Sequence, residues 1–109
     1  MTIFLLKIVP RRGKRQEIID LLRTVEDYAQ MKPGFLECSL FEACGEDKTI
    51  LYLERWNDSV EMHQHIQSPL FLRVLTAMEL ALEAPQMNFH EVNETQGLEL
   101  VESLRISTT

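Results

Sequence analysis

The sequence predicts a single α+β domain whose strands and helices follow one another in the order β-α-β-β-α-β. Two segments space their apolar residues as amphipathic helices do, and four shorter segments have the apolar patterns of strands. A turn of hairpin length separates the two middle strands. This order of elements is that of the ferredoxin-like fold, in which two helices cover one face of a four-stranded antiparallel sheet.

Composition and charge exclude several classes of protein. The chain has 109 residues, of which 45% are hydrophobic and 26% charged, as in folded domains. Its net charge of -6 disfavours binding to duplex nucleic acid, which needs a positive surface. Its apolar runs are shorter than the roughly 18 residues that cross a membrane. Basic residues follow the first apolar stretch instead of preceding it, unlike a secretory signal. We therefore expect a cytoplasmic protein.

The two cysteines predict no disulfide. Cys38 and Cys44 fall in one predicted strand, which would separate them by roughly 20 Å. A disulfide needs Cα atoms within about 7 Å of each other. We interpret both cysteines as small buried apolar residues.

The first strand and the first helix are predicted from apolar spacing. Residues 2–10 form a strand that is apolar on both faces, and such a strand is covered on both faces. Residues 14–30 form an amphipathic helix, which the Lys-Pro-Gly segment at 32–34 stops. The strand faces carry Ile3, Leu5 and Val9 on one side and Phe4, Leu6 and Ile8 on the other; the helix stripe carries Ile18, Leu21, Leu22, Val25 and Ala29.

The predicted hairpin consists of residues 35–44 and 49–56, joined by the turn at 45–48. On its first strand, we expect one face with Phe35, Ser39, Phe41 and Ala43 and another with Leu36, Cys38 and Leu40. On its second strand, one face carries Ile50, Tyr52, Glu54 and Trp56 and the other carries Leu51, Leu53 and Arg55.

A second helical region precedes the last strand. Asp58 and Glu61 are spaced as an N-cap pair, and Ser68 with Pro69 restart the helix, which ends at Pro85. The last strand covers residues 86–93 and completes a domain of residues 1–93. Residues 94–109 are a C-terminal extension, whose spacing favours a short helix over an extended segment. The inner face of the helical region is expected to carry Met62, His65, Ile66, Phe71, Val74, Leu75, Met78 and Leu82.

The strand pattern also predicts a homodimer. Two helices cover only one face of the sheet, yet the strands are apolar on both faces. A single copy would expose a large apolar patch, which is rare in monomers. A second copy packed sheet to sheet would cover this patch and form a barrel between the protomers.

Residues 54–61, with the sequence ERWNDSVE, resemble the central signature of the antibiotic biosynthesis monooxygenase family, together with His65, Ser68-Pro69 and Phe71. The resemblance implies the fold of the dimeric α+β barrel superfamily. It also implies a monooxygenase that oxidises a small quinol or phenolic aromatic with O₂, without metal, flavin or haem. Further matches lie at Arg12-Gly13-Lys14, Pro33-Gly34-Phe35, Phe89 and Glu91-Val92, so that the resemblance covers residues 2–93.

His65 is the preferred catalytic residue for this chemistry. Its imidazole titrates near neutral pH and lies on the inner stripe of its helix, so it suits a proton acceptor. The structural alternative is a packed or capping histidine.

Six other residues are expected to bind the substrate. Glu54, buried between the aromatic residues of its strand face, needs a polar partner, for which Arg73 is a candidate. Trp56 also suits a structural role as an anchor of the strand-to-helix corner. The predicted walls and orienting groups are Phe41, Tyr52, Glu54, Trp56, Arg73 and Phe89.

Three further features have both functional and structural interpretations. His90 lines the same cavity or is exposed on the last strand. His63 and His65, two residues apart on a helix, cannot converge on one ion, so no metal site is expected. The basic cluster at residues 11–15 indicates either an anion site or a solvated loop.

Other functions of the same fold stay open as alternatives. Haem-degrading members of the family carry an asparagine, a tryptophan and a histidine where this chain has Leu6, His65 and Leu75, so this activity is disfavoured. Haem binding through His65 by another geometry stays open. The alternative to an oxygenase is a non-catalytic small hydrophobic ligand-binding protein or an isomerase-like one. A third possibility is a pure association unit whose cavity is filled by side chains.

Overall fold

The computed structural model describes residues 1–106, and within them the predicted order β-α-β-β-α-β is confirmed. The end of the predicted extension, residues 107–109, lies outside the described residues. The elements are β1 (Thr2–Ile8), α1 (Arg15–Ala29), β2 (Phe35–Glu42), β3 (Ile50–Trp56), α2 (Ser59–Ile66), a 3-10 turn (Pro69–Phe71), α3 (Leu72–Glu79), β4 (Gln86–Glu91) and α4 (Leu98–Ile106).

The four strands form one antiparallel sheet in the order β2-β3-β1-β4. The register sets Phe4 of β1 between Glu54 of β3 and Phe89 of β4. Cys38 of β2 lies on the other side of Glu54, so these four residues form one row across the sheet. The predicted ferredoxin-like fold is therefore confirmed.

The residues of β1 and β3 divide between the two faces of the sheet as their alternation predicted, and in the single chain these faces differ in burial. The face under the helices carries Glu54 and the aromatic residues around it and is buried in one core with apolar residues of α1 and α3. On the opposite face, Leu5 pairs with Leu53 and is partly exposed, and Phe41 is 52% exposed. The buried apolar residues of the three central elements include Phe4, Leu6, Ile8, Ile18, Leu22, Val25, Ile50, Tyr52 and Trp56.

Strand β2 differs from its prediction in two ways. A register shift between Phe35 and Glu37 turns Phe35 to the helix side, where its ring meets Trp56 with 5.8 Å between centroids. The prediction that Phe35 shares a face with Phe41 was therefore wrong, because a bulge interrupts the alternation. The strand also ends at Glu42, so Cys44 lies beyond it and is exposed, not buried as expected.

The second helical region begins as predicted. The carboxylate of Asp58 accepts a hydrogen bond from the backbone N–H of Glu61, at 2.9 Å. The region is broken by the 3-10 turn, and α3 buries Val74 and Ala77. Leu75 is exposed because it lies one residue past Val74, at the margin of the stripe. Leu82, also predicted to face inward, lies beyond the end of α3 and is exposed.

Helix α4 follows β4, as the spacing in the extension predicted. All nine of its residues are exposed, including Leu98 and Val101. Among the described residues, no helix is long and apolar enough to cross a membrane.

Candidate functional site

A buried carboxylate on β3 is the centre of the candidate site. Glu54 is fully buried, and three groups donate hydrogen bonds to it. Tyr52 Oη donates to Oε2 at 2.7 Å, and Trp56 Nε1 donates to Oε1 at 2.9 Å. His65 Nε2 lies 3.1 Å from Oε2. An ionised carboxylate only accepts hydrogen bonds, and these three side chains supply donors to both of its oxygens.

The alternation of β3 produces two of these contacts. Tyr52 and Trp56 lie two residues before and after Glu54, and side chains at this spacing share one face of a strand. The third contact comes from α2, whose inner stripe carries His65 onto the sheet. Local periodicity in two separate elements thus assembles the carboxylate with its donors.

The second ring nitrogen of His65 has a cationic partner. Nδ1 of His65 lies 3.0 Å from Nζ of Lys32. A lysine ammonium only donates, so Nδ1 accepts and Nε2 carries the proton that is donated to Glu54. We assign His65 this neutral tautomer from its partners. The imidazole therefore bridges a cation and an anion.

Lys32 also has a second hydrogen-bond partner, and Lys32 itself lies at the edge of a cavity. Its Nζ donates to Ser68 Oγ at 2.7 Å, and Ser68 Oγ donates to the carbonyl of His65 at 2.6 Å. Burial lowers the pKa of Lys32, and the carboxylate of Glu54 opposes this effect in part. The cavity has a volume of about 220 Å³ and is lined by Lys32, Pro33, Glu61, Gln64 and His65.

Two further protonated groups lie behind the carboxylate. Cys38 Sγ donates to Tyr52 Oη at 3.2 Å, which in turn donates to Glu54. Burial raises the pKa of Cys38 to about 12. Burial and the charge of Glu54 also raise the pKa of Tyr52. Both groups therefore stay protonated near neutral pH, so Cys38 is not a nucleophilic thiolate.

Aromatic rings surround His65. The indole of Trp56 lies 4.7 Å from the imidazole, and the ring of Phe71 lies 5.5 Å from it, between centroids. The side chain of His65 is fully buried as a result. Side chains thus fill the space over Glu54, and the cavity beside Lys32 adjoins this packed group.

Of the predicted site residues, the structure brings together Tyr52, Glu54, Trp56 and His65. Phe41 lies on the opposite face of the sheet, where it pairs with Leu51 of β3.

Arg73 and Phe89 also lie outside this group. Arg73 is exposed on α3, and Glu54 has other partners in its place. The expectation that Arg73 pairs with Glu54 was wrong because a histidine and two strand neighbours already donate to the carboxylate. Phe89 stacks on Phe4 at 4.8 Å and lines a second cavity, of about 420 Å³. That cavity also contacts His63 and His90.

Lys32 and Ser68 were not predicted as site residues. Lys32 was noted only as part of a helix stop, and Ser68 only as the start of a helical segment and as part of the motif that carries the family resemblance. Both lie in connections between elements, where no apolar period indicates the direction of a side chain. Their sequence signal is limited to a position next to Pro33 or Pro69, which marks a turn.

The remaining polar features do not join this site. No group of three His, Cys, Asp or Glu residues within residues 1–106 could hold a metal ion. In the basic cluster, Arg11 donates to the carbonyl of Glu79 at 3.0 Å, and Arg15 forms an ion pair with Glu42. The cluster borders a separate cavity of about 390 Å³, and its role as an anion site stays a prediction.

A sequence profile of the family described as "Antibiotic biosynthesis monooxygenase" matches residues 1–77. This segment contains every residue of the hydrogen-bonded group, from Lys32 to Ser68. The chain therefore belongs to the antibiotic biosynthesis monooxygenase family, and the predicted resemblance is confirmed.

Two relatives are similar along most of the chain. The uncharacterized protein sll1783 of Synechocystis is 28% identical over 94 residues, which are 85% of this chain and 63% of that protein. The chain thus spans less than two thirds of that relative's length. YcnE of Bacillus subtilis, named as a candidate monooxygenase, is 28% identical over 80 residues, which are 73% of this chain and 82% of YcnE.

Solved structures share the fold at low sequence identity. Rv0793 of Mycobacterium tuberculosis has a TM-score of 0.78 at 16% identity, covering 88% of this chain and 98% of that one. SnoaB of Streptomyces nogalater, described as a cofactor-independent oxygenase, has a TM-score of 0.73 at 14% identity. That comparison covers 86% of this chain and 94% of SnoaB.

Proposed function

We propose that this protein is a cofactor-independent monooxygenase that oxidises a small quinol or phenolic aromatic with O₂. One observation carries the proposal: a chain of proton-binding groups, Glu54–His65–Lys32, leads from a buried carboxylate to a cavity. Membership of the antibiotic biosynthesis monooxygenase family supports the class of reaction. The similarity to SnoaB, itself described as a cofactor-independent oxygenase, agrees with it.

The reaction needs a site that accepts a proton and stabilises an anion. The substrate loses the proton of one hydroxyl group, and the resulting anion donates an electron to O₂. The substrate radical and superoxide combine through a new C–O bond, and the resulting peroxide takes back the proton from the site to form a hydroperoxide, which loses water. A quinol and O₂ thus give a hydroxyquinone and water, and each product contains one of the two atoms of the O₂ molecule. Proton uptake and charge stabilisation are the two steps that side chains supply.

Each member of the buried group has a role in this scheme. His65 is the proton shuttle, and Glu54 stabilises the imidazolium that forms when His65 takes a second proton. Tyr52 and Trp56 hold the carboxylate in place through their hydrogen bonds. The ammonium of Lys32 favours the anionic form of a substrate in the adjoining cavity.

The test is O₂ uptake with a panel of reduced quinols. We expect uptake above autoxidation by the wild type and a loss of about 100-fold or more in His65→Ala. His63→Ala is the matched control, since His63 is exposed on the same helix. Absence of uptake with every quinol would remove the oxygenase proposal. Unchanged uptake in His65→Ala would remove only the role of His65. Turnover without O₂ would favour an isomerase-like reaction instead.

We further propose that the protein acts as a homodimer in a reducing compartment such as the cytoplasm. The face of the sheet opposite the helices carries Ile3, Leu5, Leu51 and Leu53, all partly exposed, and Phe41. A second copy would bury these side chains. Residues 94–109 form an extension of the domain, and the exposed Leu98 and Val101 of α4 are available to the partner. Both cysteines are free thiols, which fits a reducing environment.

A further inference from the structure

Lys32, not His65, is the exposed end of the hydrogen-bonded chain that begins at Glu54. The side chain of His65 is fully buried, and both of its ring nitrogens are engaged, one by Glu54 and one by Lys32. The amine of Lys32 lies at the outer end of this chain, is partly exposed and lines the cavity of about 220 Å³. His65 also lines this cavity, but its side chain is covered, so the partly exposed amine of Lys32 is the proton-binding group open to a hydroxyl there.

We propose that Lys32 is a catalytic base, which takes the proton of a phenolic hydroxyl as a neutral amine, with His65 and Glu54 as the relay behind it. The inference rests on the proposed oxygenase function, and it identifies the group that accepts the substrate's proton in that reaction. The arrangement carboxylate–imidazole–amine follows the logic of a catalytic triad, in which a carboxylate orients a histidine and the histidine activates a third group.

The proton movements balance. The ammonium of Lys32 first gives one proton to Nδ1 of His65 along the 3.0 Å contact. The imidazolium that forms is held by Glu54, which already accepts from Nε2. The neutral amine then accepts the proton of the substrate hydroxyl. The site has gained one positive charge, and the substrate has become an anion beside the restored ammonium.

Burial outweighs the opposing charge of Glu54 of β3 and lowers the pKa of Lys32, so the neutral amine forms more readily here than in an exposed lysine. From α2, the carboxylate of Glu61 lines the same cavity, and the polar side chain of Gln64 lies beside it. Ser68 accepts one hydrogen bond from the amine, which fixes its position next to His65.

The first test measures the amine directly and needs no turnover. Purified protein is labelled with trace acetic anhydride at a series of pH values, and the acetylated fraction of each lysine is measured by peptide mass spectrometry. We expect the labelling of Lys32 to reach half of its maximum at a lower pH than that of Lys14 and Lys48. In Glu54→Gln, this midpoint should fall further, because the carboxylate that stabilises the ammonium is gone. A midpoint for Lys32 equal to or above those of the exposed lysines would overturn the proposal.

The second test asks whether Lys32 acts as a base or only supplies a positive charge. Lys32→Arg keeps the positive charge but cannot lose a proton near neutral pH. We expect kcat/KM for O₂ uptake with a quinol to fall by about 100-fold or more. Lys14→Arg, at the N-cap of α1, where the side chain is 44% exposed, should stay within about twofold, since surface changes have small effects. A smaller loss in Lys32→Arg would assign this residue a charge-neutralising role and overturn the proposal.

The two tests also separate this inference from the function on which it rests. If the wild type consumes no O₂ with any quinol, the oxygenase proposal fails, and the labelling experiment still decides whether Lys32 is an activated amine. If the wild type is active and Lys32 titrates like Lys14, the oxygenase proposal stands and the assignment of Lys32 as base fails. Circular dichroism of each variant checks that it is folded.

Discussion

The hydroxyl of Tyr52 donates a hydrogen bond of 2.7 Å to the carboxylate of Glu54, its neighbour on the same face of β3. Both side chains are buried, so the contact is not exposed to competing water. A hydrogen bond to a buried charge contributes more than one between neutral groups, because an unpaired charge in the interior is costly.

We therefore predict that Tyr52→Phe destabilises the protein by roughly 1.5–3 kcal/mol. The substitution removes one of the three donors to Glu54 and leaves the shape of the ring unchanged. Tyr28→Phe is the control, because Tyr28 is 59% exposed, and its effect should stay within about 0.5 kcal/mol. Urea unfolding followed by fluorescence measures both changes. Equal effects of the two substitutions would contradict the importance assigned to this hydrogen bond.

A second prediction concerns Gly34. This residue has a φ of +79°, and a Cβ built there would overlap the side chain of Glu61. Gly34→Ala must therefore adopt an unfavourable backbone conformation and also displace Glu61, which lines the cavity at Lys32. Gly13 has a similar φ of +80° but nothing within 4 Å of the added Cβ.

Gly13→Ala thus isolates the backbone effect, which we expect to lower the free energy of unfolding by about 1–2 kcal/mol. Gly34→Ala should lower the free energy of unfolding clearly more than Gly13→Ala, since the contact with Glu61 adds to the same backbone effect. The free energies of unfolding of both variants, measured in urea, give the comparison. Similar values would mean that Glu61 moves aside without cost.

A third prediction follows from the thiol of Cys38. Its pKa rises from 9.0 to about 12 in the folded protein, so below pH 9 the thiol is protonated in both states. Above pH 9 the unfolded chain loses this proton first, and the folded state loses stability as the pH rises toward 12. The slope for one such group is at most about 1.4 kcal/mol per pH unit.

We expect Cys38→Ala to reduce the loss of stability between pH 9 and 10. Above this range the phenol of Tyr52, whose pKa is also raised from 10.0, adds a loss of its own. Cys44→Ala is the matched control because Cys44 is exposed in the turn region after β2. Urea unfolding at pH 8, 9 and 10 measures the effect. If Cys38→Ala and the wild type lose the same free energy of unfolding between pH 8 and pH 10, the prediction is contradicted.

A fourth prediction concerns the open face of the sheet. Light scattering should give about twice the 12.7 kDa of one chain. Leu53→Glu introduces a charge at a central position of this face, opposite Leu5, and should shift the protein toward one copy. Leu72→Glu is the control, since Leu72 is exposed on α3 at the helix side. A wild type that stays at 12.7 kDa at all concentrations would contradict the homodimer.

Periodicity in the sequence was sufficient to predict most of the fold and the centre of the site. The alternation of β3 placed Tyr52, Glu54 and Trp56 on one buried face, and the helical spacing of α2 placed His65 inward. These predictions succeeded because a regular element sets the direction of each of its side chains.

Features that break a period could not be predicted in the same way. The bulge after Phe35 turned that ring to the other face, since one extra residue reverses the alternation. Lys32 and Ser68 meet His65 from two separate connections, and nothing in the local sequence sets that distance. Arg73 was chosen for its charge alone, although the donors near Glu54 were sufficient without it.

The pairing of one cation with one anion across His65 has a consequence for the response of the site to salt. Lys32 and Glu54 together carry no net charge, and a proton that moves between Lys32 and His65 leaves that total unchanged. Dissolved ions act mainly on exposed net charge and penetrate little into a packed interior. Because Lys32 is partly and His65 fully buried, the proton equilibrium between them should depend on ionic strength less than the titration of exposed groups does, even though the chain as a whole carries a charge of -6.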